Sequence, residues 1–253
     1  VSRQPAGPPP PPVVQRLRLR YAKRDRLRFT SHRDIARAFE RALRRSGVPI
    51  GFSAGFTAHP KVSYVGAAPT GAASEAEYLE IGLADRRDPE AVRSALDAAL
   101  PDGLEVLAVV EASAGDTALA ERIEASVWRI RLAEVASGEL ERALETFLAQ
   151  ESVLVDRATK DGTRPVDARA AVVAAEVAED PASGLAGKGC ATLDVVVRHV
   201  TPAVRPDDVV TALRRAAGLS TPVAPVATRL AQGLLDAAPP QAAKRLIDPL
   251  EER

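Results

Sequence analysis

The sequence predicts an α+β protein made of tandem ferredoxin-like (βαββαβ) domains, with antiparallel sheets and helices on one face. Three observations predict it. Residues 13–112 read as strand, helix, strand, strand, helix, strand, and residues 122–235 repeat that order with one extra segment. Apolar positions switch between a period of two and a period of 3.6 at each boundary. At 253 residues the chain is long enough for two domains of ordinary size, each with its own core.

Residues 1–12, "VSRQPAGPPPPP", cannot pack and read as a disordered or polyproline arm. The stretch "QRLRLRYAKRDRLRFTS" then alternates. Leu17, Leu19 and Tyr21 share one face, and Arg16, Arg18 and Arg20 share the other. After a turn near Arg24-Asp25, Leu27 and Phe29 resume the apolar face opposite Arg26 and Arg28. Period two with one wet side predicts a strand or a strand hairpin on a half-buried sheet. A helix follows, with Ser31 placed as N-cap and Asp34 three residues on. Ile35, Phe39, Ala42 and Leu43 fall on its apolar side, and Arg33, Arg37, Arg41 and Arg44 on the other, with Glu40 beside them. Gly47 stops it and Pro49 prevents its return.

"KVSYVGAAPTGAASEAEYLEIGLA" reads as two strands joined by a Gly/Pro/Ser turn. Asp88-Pro89 opens a helix through Leu100, with Pro89 at the first helical position. "GLEVLAVVEA" closes the domain, and residues 113–121 read as a linker. In the second copy "RIEASVWRIRL" is a strand and "SGELERALETFLAQ" a helix. Either "SVLVDRAT" or "ARAAVVAAEVA" supplies the next strand, and "CATLDVVVRHV" another. "PDDVVTALRRAAG" is a helix and "PVATRLAQGLL" the last strand. Residues 236–253 form a polar tail.

The charges are segregated. Residues 1–61 hold 14 Lys and Arg against three acids, a net +11, so residues 62–253 carry −11 in a chain that sums to zero. A basic lobe on a neutral protein is the usual footprint of a polyanion surface. Arginine forks match phosphate oxygens two at a time, so Arg28, Arg33, Arg37, Arg41, Arg44, Arg45 and Lys61 are the candidate phosphate contacts. His32 opens the helix, where free N–H groups favour an anion. His59, followed by Pro60-Lys61, is its candidate counterpart in acid–base chemistry on a ribose 2′-OH. Phe52, Phe56 and Tyr64 are expected in the core rather than on bases, because only nine aromatics serve the whole chain. Glu75 and Glu77 are expected to bridge to the basic lobe or to meet a partner, and "KDGTRPVDAR" to be a loop.

Other classes are excluded or weak. The single Cys190 excludes a disulfide framework and an all-cysteine metal cage, and fits a reducing compartment. Three histidines far apart give no metal-ligand spacing, so neither metal nor cofactor is expected. "GFSAGF" lacks the strand and helix context of a nucleotide loop. No apolar run is long enough to span a bilayer and no leader pattern opens the chain, so a cytoplasmic protein without membrane contact is expected.

The segment "FTSHRDIARAFERALRRSGVPIGFSAGFTAHPKVSY", with "GAASEAEYLEI" after it, resembles the bacterial radical SAM-linked proteins, a family of unknown function. That family's pattern is an S-H-x-D helix start, an R-A-L-R-R helix end, then L-P, G-F-N-P-H-P-K and S-E-A-E-Y-L. The likeness covers about residues 15–85 by motif and the rest by layout. It departs at Thr57-Ala58, where the family tends to have Asn-Pro. Members are encoded beside, or fused to, a radical SAM protein with a cobalamin-type domain, and in actinobacteria near a ribonuclease E/G-type enzyme. This chain has no CxxxCxxC, so iron–sulfur chemistry would belong to such a partner. By architecture alone the expected fold is also similar to the CRISPR repeat-cleaving endoribonucleases.

The expected function is therefore that of a non-catalytic RNA-binding accessory protein. It would present tRNA or rRNA to a radical SAM modification enzyme or a ribonuclease. One alternative is a metal-independent endoribonuclease using His32 and His59. Another is an interaction module that docks on an acidic partner enzyme.

Overall fold

The computed structural model describes residues 10–113, 115–159, 162–179, 189–236 and 246–251. Most of the proline-rich arm, Lys160 and much of the tail therefore lie outside the described residues. The chain is mixed α+β and divides into two compact units, residues 1–122 with 250–253, and residues 123–249.

In the first unit the elements are β1 (Gln15–Lys23), α1 (His32–Ser46), β2 (Val62–Val65), β3 (Ala73–Leu83), α2 (Pro89–Asp97) and β4 (Leu104–Glu111). The strands lie in the order β4-β1-β3-β2, every neighbour antiparallel. Register explains which face is apolar. Leu17 lies opposite Ile81 and Leu19 opposite Leu79, and these side chains meet Ile35, Phe39 and Leu43 of α1 and Val92 and Leu96 of α2 in one core. The intervening β1 residues Arg16, Arg18 and Arg20 point to the opposite face of the sheet.

The segment after β1 differs from expectation. Residues Asp25–Phe29 form a 3-10 turn, not a returning strand. Asp25 takes a positive φ of 50°, and the Arg24 N–H is used by Gly103 O at 2.8 Å. That bond ends the alternation and turns the chain toward α1. Residues 113–121 are also less idle than a linker. Arg18, 3% exposed, reaches across to Asp116 at 3.1 Å and to Thr117 O at 2.7 Å. A second 3-10 turn, Leu119–Arg122, buries Leu119.

The second unit contains β5 (Ala125–Ala133), α3 (Ser137–Leu148), β6 (Leu154–Thr159), β7 (Gly162–Asp167), α4 (Ala168–Ala171), β8 (Val172–Ala178), β9 (Cys190–Arg198), α5 (Pro206–Ala217), β10 (Val226–Leu235) and β11 (Leu246–Ile247). Its sheet runs β10-β5-β9-β8, again antiparallel throughout, with β11 beside β10. Both segments left open by the sequence are strands. Residues 172–178 enter the sheet, while 154–159 pair with 162–167 in a separate hairpin. "KDGTRPVDAR" is thus largely one arm of that hairpin and the start of α4. Part of the polar tail, Leu246–Ile247, pairs with Leu234 and Leu235.

Candidate nucleic-acid interface

α1 is built as its sequence dictates. Ser31 caps it, accepting from Asp34 N at 3.2 Å while its hydroxyl donates to Asp34 Oδ2 at 2.6 Å. Gly47 ends it at φ 67°, in the left-handed region that glycine enters without strain. Ile35, Ala38, Phe39, Ala42 and Leu43 are buried, so the other side of the helix must face solvent. That side carries Arg33, Arg37, Arg41, Arg44 and Arg45, all exposed. At 3.6 residues per turn Arg33, Arg37, Arg41 and Arg44 fall within an arc of about 80° and span about 16 Å of helix. Arg37 meets Asp34 at 3.4 Å, and Arg45 donates to Ala99 O. Arg33, Arg41 and Arg44 make no hydrogen bond or ion pair among the described residues.

The strand arginines do not extend this stripe. Arg16 and Arg18 each lie 3.3 Å from Glu80, and Arg18 also binds Asp116. Arg20 Nε donates to Glu75 O at 2.8 Å. Arg24 forks onto Glu75 and also meets Glu105, and these hydrogen bonds push its pKa further up. The pleat decides which way the strand arginines face. The β1 arginines are on the sheet side away from α1, where Arg16 and Arg18 are neutralised by carboxylates and Arg20 is held by a carbonyl.

Arg28 closes the 3-10 turn just ahead of α1. Its guanidinium lies 4.6 Å from the centre of the Phe29 ring, and its Nε is buried with no hydrogen-bond partner. Its carbonyl accepts from Gly71 N at 2.7 Å. His32 is exposed at the first position of α1, with its ring edge-on to Tyr64 at 5.0 Å. Tyr64 in turn packs on Phe39, and burial together with the nearby Glu40 carboxylate holds its hydroxyl protonated well above the usual range.

His59 and Lys61 belong to a ribbon that leaves the sheet where α1 ends. Gly51 N donates to Gly82 O at 2.7 Å, Gly82 N to Lys61 O at 2.9 Å and Lys61 N to Gly51 O at 2.8 Å. Phe52 bridges to Pro60, Ser53 N donates to His59 O at 2.8 Å, and His59 N donates to Ser53 Oγ at 3.0 Å. Gly51 and Gly82 are required at this base. A Cβ on Gly51 would meet Val13 Cγ2 at 3.0 Å and Gly82 O at 3.1 Å, and one on Gly82 would meet Val13 Cγ2 at 2.9 Å. His32 opens the 15-residue helix, and His59 lies on the ribbon that follows it. Among the described residues no ring contact or hydrogen bond joins the two.

The aromatics correct another expectation. Phe52 and Phe56 are not core residues: they are 39% and 73% exposed on the ribbon. Phe29 is 60% exposed. Only Tyr64 of the three expected core aromatics packs inward. The glycines around Phe52 and Phe56 gave no strand or helix period that could bury them, which was the available signal. The Ser74–Tyr78 motif proves to be structural. Glu75 holds Arg24, and Glu77, 3% exposed, accepts from Ala68 N at 3.0 Å.

A cavity of about 550 Å³ opens on the first unit beside β1. Arg16, Arg18 and Arg86 line it against Glu80, Glu111 and Asp116, so it selects no charge. His199 in the second unit is exposed just past the end of β9, bonded to Ser126 Oγ at 2.8 Å, and its pKa is lowered by partial desolvation and by Arg229. Among the described residues no cluster of three His, Cys, Asp or Glu side chains is placed to hold a metal ion. Among them, too, no helix is long and apolar enough to cross a membrane.

No curated protein matches the chain. Over residues 16–206 it matches the family described as an uncharacterized protein conserved in bacteria (DUF2344), and the chain belongs to that family.

Proposed function

We propose that this protein is a cytoplasmic RNA-binding accessory protein that grips phosphates along the exposed side of α1. The observation that carries this reading is the contrast in arginine partners. Arg33, Arg41 and Arg44 stand on one face with no acidic partner among the described residues, while Arg16 and Arg18 of β1 are spent on carboxylates. A binding surface for a polyanion needs unspent charge, and α1 offers three such side chains on one face. Lys61 and His59 would extend the grip at one end of α1, and Arg28 and His32 at the other. General acid and base must both reach the same phosphodiester, and among the described residues no contact joins the two histidines, so acid–base cleavage is not the favoured reading.

The finer fold reading is that both units are ferredoxin-like. Its support is that each has the connectivity βαββαβ and the strand order last-first-third-second, with β6, β7 and α4 inserted in the second. Presentation of tRNA or rRNA to a radical SAM modification enzyme or a ribonuclease rests on the resemblance of the Ser31–Lys61 and Ser74–Leu79 motifs.

The test is binding to bulk tRNA and rRNA fragments at several salt concentrations, with wild type and a variant carrying Arg37→Glu, Arg41→Glu and Arg44→Glu. If Arg33, Arg37, Arg41, Arg44 and Lys61 hold five phosphates, log affinity falls with log salt at a slope of about −4. The variant should lose binding while remaining folded. A wild-type slope near zero overturns the proposal.

A further inference from the structure

Apart from His59, the ribbon Phe52–Pro60 has no task in the phosphate grip, yet hydrogen bonds brace it at its base and along its length. Its base continues the hydrogen-bond ladder of β3, and Ser53 and His59 lock it at two further points. Gly55, at φ +133°, shapes the turn beside the tip. What the ribbon holds out is aromatic: Phe56, 73% exposed, with Phe52, 39% exposed, below it. A chain with five phenylalanines has placed two of them on one exposed finger. Exposed apolar side chains scattered singly are ordinary, but two exposed rings on one braced ribbon are not scattered.

The surroundings decide what these rings meet. From Arg41 to Ser74 the chain contains no Asp or Glu, and it carries Arg41, Arg44, Arg45, His59 and Lys61. α1 ends at Ser46, five residues before Gly51, so a short connection ties its last turn, with Arg44, to the base of the ribbon. A flat apolar ring within an acid-free cationic stretch fits a ligand that joins π-faces to a negative backbone. Nucleic acid does so only where its bases are unstacked, because an A-form duplex hides its base faces within the stack.

We infer that the ribbon is a base-stacking finger and that the RNA bound by α1 is single-stranded at this point, with an unpaired base laid on Phe56. This rests on the phosphate-grip reading. It adds a preference for strand over duplex and assigns it to a residue that contacts no phosphate. The Phe52 ring supplies a second, lower platform, and Lys61 and Arg44 hold the phosphates that flank the stacked base.

The test is fluorescence anisotropy with a labelled oligouridine of about twelve nucleotides and the same strand annealed to oligoadenosine. Phe56→Ala and Phe56→Tyr are compared with wild type. The fold is not at risk, because the ring is 73% exposed and belongs to no core. The expected result is that the single strand binds wild type at least about tenfold more tightly than the duplex. Phe56→Ala should lose about tenfold on the single strand, while the duplex affinity and salt slope stay unchanged and Phe56→Tyr retains binding. Equal affinity for both forms, or a single-strand affinity unmoved by Phe56→Ala, overturns the finger. If the Arg37→Glu, Arg41→Glu, Arg44→Glu variant still loses binding in that case, the phosphate grip survives without it. If neither oligonucleotide binds wild type at low salt, the grip itself has failed.

Discussion

β1 and α1 carry arginines at nearly the same density, and the fold treats them in opposite ways. On β1 the alternation sends Arg16 and Arg18 to a sheet face where Glu80 and Asp116 wait, and Arg18 ends 3% exposed. On α1 the helical period sends Arg33, Arg41 and Arg44 to solvent with no partner among the described residues. The corresponding first helix of the second unit, α3, offers no such stripe: its only arginine, Arg142, is accompanied by Glu139, Glu141 and Glu145. Charge count is thus a poor guide to a binding surface. What matters is whether a cation's partner is already inside the molecule.

The comparison breaks most visibly at Phe39, the residue that seats α1. It is 1% exposed and packs at 4.7 Å on Tyr21 and 6.3 Å on Tyr64. Phe39→Ala should cost about 4 kcal/mol in urea unfolding, from lost apolar burial and the cavity left behind. A loss below about 1 kcal/mol would mean that α1 is not held to the sheet by this core. Next is Arg18→Ala. Removing one member of a buried pair strands the other, at about 3–5 kcal/mol. The low end, about 3 kcal/mol, is expected here because Glu80 keeps Arg16 and Asp116 keeps the Ser113 N–H. RNA affinity of the folded variant should not change. A folded Arg18→Ala protein that binds RNA several-fold more weakly would show that the strand arginines belong to the interface after all.

The sequence made these fates partly legible. Strict alternation through Leu17, Leu19 and Tyr21 and the Ser31 and Gly47 signals placed β1 and α1 correctly, because both depend on local periodicity and capping. The sides on which their arginines lie were legible too. The partners were not: Glu80 is 62 residues from Arg18 and Asp116 is 98, and no local rule reports such pairings. The same limit explains Asp25–Phe29, where a correct apolar alternation was overridden by the bond from Arg24 N to Gly103 O. It also explains Phe52 and Phe56. Scarcity of aromatics argued for burial, but the chain around them turns back on itself through Gly51 and Gly55, and a narrow ribbon has no inside.

A smaller effect isolates the helix from its charge. Ser31→Ala removes the acceptor for Asp34 N and should cost about 1 kcal/mol, read by thermal or urea unfolding. If fraying of the first turn moves His32 and Arg33, RNA affinity should also fall slightly, with the salt slope reduced by less than about one. An unchanged stability would show that the hydroxyl adds nothing to what Asp34 alone contributes at the helix N-terminus.

The smallest effect separates the two regions most cleanly, because its sign differs between them. Arg41 lies four residues from Arg37 and from Arg45 and three from Arg44, so it stands among like charges on every side but that of Glu40. Like charges at these spacings destabilise a helix by about 0.2–0.5 kcal/mol per pair at low salt. Arg41→Gln keeps helix propensity and removes the repulsion, so it should stabilise the protein by about 0.5 kcal/mol at low ionic strength, and by almost nothing when salt screens the stripe. The same substitution should weaken RNA binding and flatten the salt slope by about one. Arg18, neutralised at home, can only lose stability when removed. A stripe that costs the fold free energy and returns it only on binding is the thermodynamic mark of a surface kept for a partner. If Arg41→Gln destabilises the protein, the charge has an internal partner and the contrast between helix and strand disappears.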